Sequence, residues 1–166
     1  MRITETVVHP TDPWATFEML TDPTYQELRC RRSGATDQTV GVEQEGQATV
    51  VTTRRHLPSD GVPDFARAFV GPTLLLVEMV RWGSADEDGE REAAVSLELP
   101  GLPVAFTGGT HLRRGAQEGT TDQVLDGDLE ANVPLLGHRI EQAVAPRISA
   151  IMRIEQEVSR EWLAAR

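Results

Sequence analysis

The sequence contains no lysine: all 16 basic residues among its 166 are arginine. A Walker-type phosphate loop, a kinase-type ATP lysine and a Schiff-base nucleophile are therefore impossible in this chain. Cysteine is almost as scarce, with Cys30 the single thiol. One thiol rules out thiolate zinc clusters, iron–sulfur ligation and intramolecular disulfides, and it suits a reducing compartment. Cys30 is flanked by Arg29, Arg31 and Arg32, which would lower its pKa if it were exposed. No His or Asp motif accompanies it, so it reads as an incidental thiol. Long apolar runs are missing too: Leu74 to Val80 is interrupted by Glu78, and nothing reaches the roughly 18 residues that span a bilayer. Met1 to Glu5 lacks the apolar core of a signal peptide, so a cytoplasmic protein is expected.

Positive charge is in short supply. The 26 acidic residues leave a net charge of −10. Residues 1–83 hold 8 Arg against 11 acids, and residues 84–166 hold 8 against 15. Neither half offers a basic face for nucleic acid or anionic lipid. The four histidines, His9, His56, His111 and His138, form no metal-binding pair, and surface roles are expected for all of them. There is no Gly-x-Ser-x-Gly elbow. Asp126, Asp128 and Glu130 alternate in a way that suits either a hard cation or the solvent face of a strand. The calcium-loop spacing is missing, which favours the solvent face, and no metal is expected.

What is present is a composition of 39% hydrophobic and 25% charged residues, within the range of a folded domain. The length suits one domain that buries roughly two-thirds of its unfolded surface. No repeat or linker divides it, so a single domain over 1–166 is expected. Arg2 to His9 reads as a strand ended by Pro10. Asp12-Pro13 and Asp22-Pro23 each pair a capping residue with a first-turn proline and predict two short helices. Trp14, Phe17 and Leu20 share a face of the first. A hairpin over Thr39–Gln44 and Gln47–Leu57 follows, turning at Glu45-Gly46. The sequence then predicts a short helix over Asp64–Val70, a strand over Pro72–Trp82, and alternating strands through Ala93–Leu99, Val104–Leu112 and Leu125–Leu129. From Pro134 a long helix is predicted, with Leu136, Ile140, Val144, Ile148, Ile151, Ile154, Val158 and Trp162 along one stripe. Pro146 should kink this helix rather than end it. An antiparallel sheet with one apolar face needs a cover, and only this helix is long enough.

This order resembles the helix-grip fold of the START-like (SRPBCC) superfamily, over the whole chain. The resemblance rests on Asp12-Pro13-Trp14, Asp22-Pro23, Phe69-Val70-Gly71, Arg81-Trp82, Pro100-Gly101-Leu102-Pro103-Val104, and Val133-Pro134-Leu135-Leu136-Gly137 with Ile140-Glu141. It is similar to an uncharacterised actinobacterial branch of that superfamily. It implies an α+β chain: a curved antiparallel sheet of about six to seven strands around a long C-terminal helix, with two short helices after the first strand. It also implies a cavity between sheet and helix that takes an apolar or amphipathic small molecule, lipid-like or polyketide-like. The ligand contacts expected on that basis are Phe65, Phe69, Glu78, Trp82, Phe106, Thr110, Arg147 and Ile151. Phe65 and Phe69 would border the mouth. Arg147 falls in the helix's apolar stripe and either anchors a ligand or snorkels to the rim; Glu78 has the same ambiguity.

Two further functions belong to the same superfamily. One is an aromatase/cyclase-type enzyme using Glu78, Thr110, Arg147 and Glu155; the other is a protein-interaction module related to chaperone co-factors. No motif unites those four residues, which favours binding over catalysis, and no cofactor or catalytic residue is expected.

Overall fold

The structure, a computed structural model, describes residues 1–166. Strand β1 (Arg2–His9) leads into helices α1 (Pro13–Leu20) and α2 (Pro23–Arg32). Both helices start at the Asp-Pro pairs. Asp12 Oδ1 accepts the Ala15 amide at 3.0 Å, and Asp22 Oδ1 accepts those of Thr24 and Tyr25 at 2.7 and 3.1 Å. Six more strands follow: β2 (Asp37–Glu45), β3 (Ala48–Pro58), β4 (Thr73–Trp82), β5 (Arg91–Glu98), β6 (Val104–Arg114) and β7 (Thr121–Ala131). Helix α3 (Gly137–Ala164) ends the chain.

The strands form one antiparallel sheet in the order β1-β7-β6-β5-β4-β3-β2. Sequential hairpins build β2 to β7, and β1 adds beside β7. The sheet curves around α3, which packs against β1 and β7, while α2 packs against α3 and β2. This is the helix-grip architecture the sequence predicts. Gly108 and Gly127 lie directly opposite each other on β6 and β7. A Cβ on Gly108 would come within 2.5 Å of the Gly127 Cα, and one on Gly127 within 2.6 Å of the Phe106 ring. Only glycine permits that approach of backbone and ring.

Some local expectations are corrected. Asp64–Val70 is not a helix but contains a single 3-10 turn at Arg67–Phe69, because so short a segment cannot offset the cost of nucleating an α-helix. The long helix starts at Gly137, not Pro134, because Leu135 adopts φ +65° and the Gly137 amide turns back to the Val133 carbonyl. Trp14 is half exposed; α1 instead buries Thr16, Met19 and Leu20. His9 is fully buried rather than on the surface.

The apolar interior divides into two clusters. One gathers Leu76, Val95, Phe106, Leu125, Ile148 and Met152; the other gathers Trp82, Ala93, Leu112, Tyr25, Val158 and Trp162. The break falls at a polar residue on three elements. Glu78 lies between Leu76 and Trp82 on β4, Thr110 between Phe106 and Leu112 on β6, and Glu155 between Met152 and Val158 on α3. All three side chains are buried. A polar layer thus crosses the core from sheet to helix.

Ile148 is buried in the first cluster, whereas Ile151 is only half buried. Ile148→Ala should cost about 2–5 kcal/mol, and Ile151→Ala less. Urea denaturation checks the order, and equal losses would contradict it.

Candidate functional site

The polar layer is built on Glu78. Its Oε2 accepts from Arg29 Nη2 and from Arg55 Nη2, each at 2.8 Å. Arg29 continues the chain: its Nη1 donates to Glu155 Oε2 at 2.7 Å and its Nε to Gln26 Oε1 at 2.9 Å. Gln26 in turn donates to the Leu20 carbonyl at 2.6 Å. Four charged side chains, two Arg and two Glu, are thereby buried in one connected network of zero net charge. Each comes from a different element: Arg29 from α2, Arg55 from β3, Glu78 from β4 and Glu155 from α3. The network therefore ties both ends of the chain to the middle of the sheet.

Burial opposes the ionisation of Glu78, but Arg29 and Arg55 outweigh it and hold the carboxyl below its ordinary pKa. Burial also opposes the charge on Arg29, and Glu78 and Glu155 more than compensate, so its pKa is raised. Burial pushes the Tyr25 phenol well above its usual pKa, and its hydroxyl donates to the Glu155 carbonyl at 3.3 Å. His9 lies within hydrogen-bond reach of Gln123 Oε1, at 2.7 Å through Nε2. Burial lowers its pKa, so the ring is neutral at pH 7.

Beside this network lies a cavity of about 40 Å³, between the sheet and α3. Its apolar wall includes Val80, Val95, Leu97, Leu125, Ile148 and Met152. Its polar wall includes Arg29, Thr53, Glu78, Thr110, Gln123 and Glu155. Thr110 Oγ1 and Glu155 Oε1 are buried without a hydrogen-bond partner in the protein, and both residues line the cavity. Buried polar atoms are rarely left so, because each orphan costs about 1–3 kcal/mol. No three His, Cys, Asp or Glu side chains come together in a way that could hold a metal ion.

Of the residues singled out from sequence, Glu78, Trp82, Thr110 and Ile151 line this cavity. Phe106 is buried in the adjoining cluster without lining it. Phe65 packs at the edge of the same cluster, with the Arg139 guanidinium 4.3 Å from its ring centroid. Phe69 is exposed. Arg147 does not reach the cavity: it is exposed and donates to the Gly61 carbonyl at 3.0 Å. The reason is helical phase. At 100° per residue Glu155 sits near the centre of the buried stripe, and Arg147 lies about 80° away from it. Arg139 and Arg147 instead hold the β3–β4 connection against α3.

The sequence reading misses Arg29, Arg55 and His9, since charged residues are ordinarily exposed. A signal did exist. Arg55 continues the alternation of buried Val51 and Thr53 on β3, and Arg29 shares a helix face with Tyr25 and Gln26. Asp126 and Asp128 pair with Arg2 on the outer side of the sheet.

A model of the family described as "Protein of unknown function (DUF2505)" matches residues 4–163. No curated protein matches the sequence. Among solved structures, the protein TTHA0849 from Thermus thermophilus is similar, with a TM-score of 0.61, 16% identity and 99% coverage of each chain. A START superfamily protein from Mycobacterium smegmatis aligns at TM-score 0.60 and 9% identity, covering 97% of this chain and 98% of that one. The Zhui aromatase/cyclase from a Streptomyces species aligns at TM-score 0.57 and 16% identity, covering 99% and 97%. At these identities the likeness shows the START-like fold alone.

Glu78→Gln should cost about 3–5 kcal/mol, because it leaves two buried guanidiniums short of one carboxylate. The pH dependence has two windows. His9 has a folded pKa below its unfolded value, so the unfolded chain takes the proton first. Stability should fall as pH drops below about 6.5. Glu78 is likewise depressed, so its contribution is complete above the unfolded carboxyl pKa and is lost as pH falls through the folded value. Urea midpoints measured from pH 8 to 3 check this, and a midpoint unchanged across that range would contradict it.

Proposed function

The chain belongs to the family described as "Protein of unknown function (DUF2505)", and we propose that it binds an apolar or amphipathic small molecule between the curved sheet and α3. The single observation that carries this reading is the two-sided cavity. An apolar wall faces buried polar atoms that lack partners within the protein. Such a combination is the usual make-up of a small-molecule site. The START-like fold of the similar structures supports the reading at the level of architecture. The lone buried thiol of Cys30 supports a reducing, cytoplasmic setting.

The cavity's volume of about 40 Å³ holds a polar head group and not a whole ligand body. Binding therefore includes a displacement of α3. Pro146 supports this, because it has no N–H to give to the Gln142 carbonyl and so weakens the helix beside Ile148. The polar contacts that hold the β3–β4 connection against this part of α3 are few and exposed, such as Arg147 to Gly61.

A second reading is an aromatase/cyclase-type enzyme. One observation favours it: Glu155 lines the cavity and keeps one carboxylate oxygen without a partner, as a general base would. Turnover of a poly-β-ketone substrate would separate the two readings.

Native mass spectrometry and titration with N-phenyl-1-naphthylamine test the binding function. The wild type should carry a co-purified small molecule or bind the probe. Ile151→Trp, which fills the cavity from α3, should abolish that binding while the protein stays folded by circular dichroism. A wild type that carries nothing and binds no probe would contradict the reading.

A further inference from the structure

We infer that the ligand presents a neutral hydroxyl, an alcohol or a phenol, to Glu155 Oε1 and Thr110, and that carboxylates are excluded. This rests on the binding reading above and adds the chemistry of the ligand's polar end.

Three observations carry it. The first is charge. The buried network already balances two guanidiniums with two carboxylates, and His9 beside it is held neutral by burial. A charged ligand would bring an uncompensated ion into this layer, which is strongly unfavourable. The second is that the cation lining the cavity is taken. Arg29 spends Nε, Nη1 and Nη2 on Gln26, Glu155 and Glu78, while Arg55, which gives Nη2 to Glu78 and keeps Nε unpartnered, does not line the cavity. Arg147, the basic residue that would otherwise anchor a carboxylate, is bonded to Gly61 outside the cavity.

The third observation is the identity of the orphan atoms. Glu155 lines the cavity; its Oε2 is occupied by Arg29, while Oε1 is buried and has no donor. A carboxylate oxygen accepts and cannot donate, so it requires a donor from the ligand. Thr110 lines the same cavity with its Oγ1 also unpartnered, and a threonine hydroxyl can give or take a proton. One ligand hydroxyl satisfies both kinds of atom at once: it donates to Glu155 Oε1 and accepts from a threonine. An arene or alkane body then lies along Val95, Leu97, Leu125 and Met152. A ligand carboxylate would set its own oxygens against Glu155 Oε1 with nothing to bridge them.

The test is a matched series of small probes on the full chain at pH 7, followed by amide NMR shifts: toluene, benzyl alcohol, phenol and benzoate. Benzyl alcohol and phenol should bind about tenfold more tightly than toluene, as a hydrogen bond to a charged group allows. Benzoate should be the weakest, and the shifts should centre on Val95, Leu97 and Thr110. Thr110→Val preserves shape and removes one partner; it should narrow the ratio of benzyl alcohol to toluene affinity several-fold. Glu155→Gln should erase the preference, and if that variant fails to fold, the wild-type series and Thr110→Val decide alone. Toluene binding as well as benzyl alcohol at the same residues would overturn the hydroxyl inference and leave the binding function standing. Tightest binding of benzoate would do the same. No shift with any probe would overturn both, and would mean that the cavity serves water alone.

Discussion

Glu78 holds one oxygen between two arginines, with a 2.8 Å hydrogen bond to each, in the middle of the inward face of β4. The rest of the interior is arranged around this fact. An isolated carboxylate at that depth would be untenable, and so would either guanidinium. Each is tolerated because the others are present, which makes the network an all-or-none feature of the fold. Helix α2, strands β3 and β4, and helix α3 must dock together for all four charges to be compensated. Replacing such a network by apolar side chains is often neutral for stability, so its presence points to a purpose other than stability. The functional reading supplies one: a polar end to a cavity that would otherwise be lined by Val, Leu, Ile and Met.

The two apolar clusters follow from the same constraint. The first, around Phe106, Leu129 and Ile148, packs the N-terminal half of α3 against the sheet. The second, around Trp82, Tyr25 and Trp162, packs the short helices and the end of α3, with Tyr25 and Trp162 edge to face at 5.6 Å. Between them the chain has oxygens and nitrogens in place of methyl groups, and polar side chains there cannot close every gap and satisfy every partner. The small cavity, lined by Thr110 and Glu155 with their unpartnered oxygens, is the consequence. Pro146, which gives α3 no N–H donor at that position, and the Arg147–Gly61 contact lie toward the first cluster.

Much of the fold is legible in the residues. Asp12-Pro13 and Asp22-Pro23 mark both helix starts, because a carboxylate and a proline each suit one position there. The alternation from Ala93 to Leu99 gives β5 its buried face. The stripe from Ile140 to Trp162 gives α3 its covering role. The candidate site is legible only in part. Glu78 stands out as a charge in an apolar run, and Thr110 as a polar residue on a strand's inner face. Their partners do not stand out, since Arg29 lies 49 residues from Glu78 and 126 from Glu155. No local pattern connects residues that far apart. A buried arginine breaks the usual rule for charge, and it can be read only when the residue that compensates it is known. The exposure of Arg147, one of the two alternatives its position left open, has a smaller cause: the buried stripe of α3 is centred on Glu155, so residues near the stripe's edge change sides with a modest rotation.

On the proposal above, the polar layer receives a ligand's hydroxyl between sheet and helix. A crystal structure of the protein grown with saturating phenol tests it most directly. The ring is expected against Val95, Leu97 and Met152, with its oxygen within hydrogen-bond distance of Glu155 Oε1 and the Thr110 hydroxyl. Phenol bound only elsewhere, with Glu155 Oε1 bonded solely to ordered water, would contradict it.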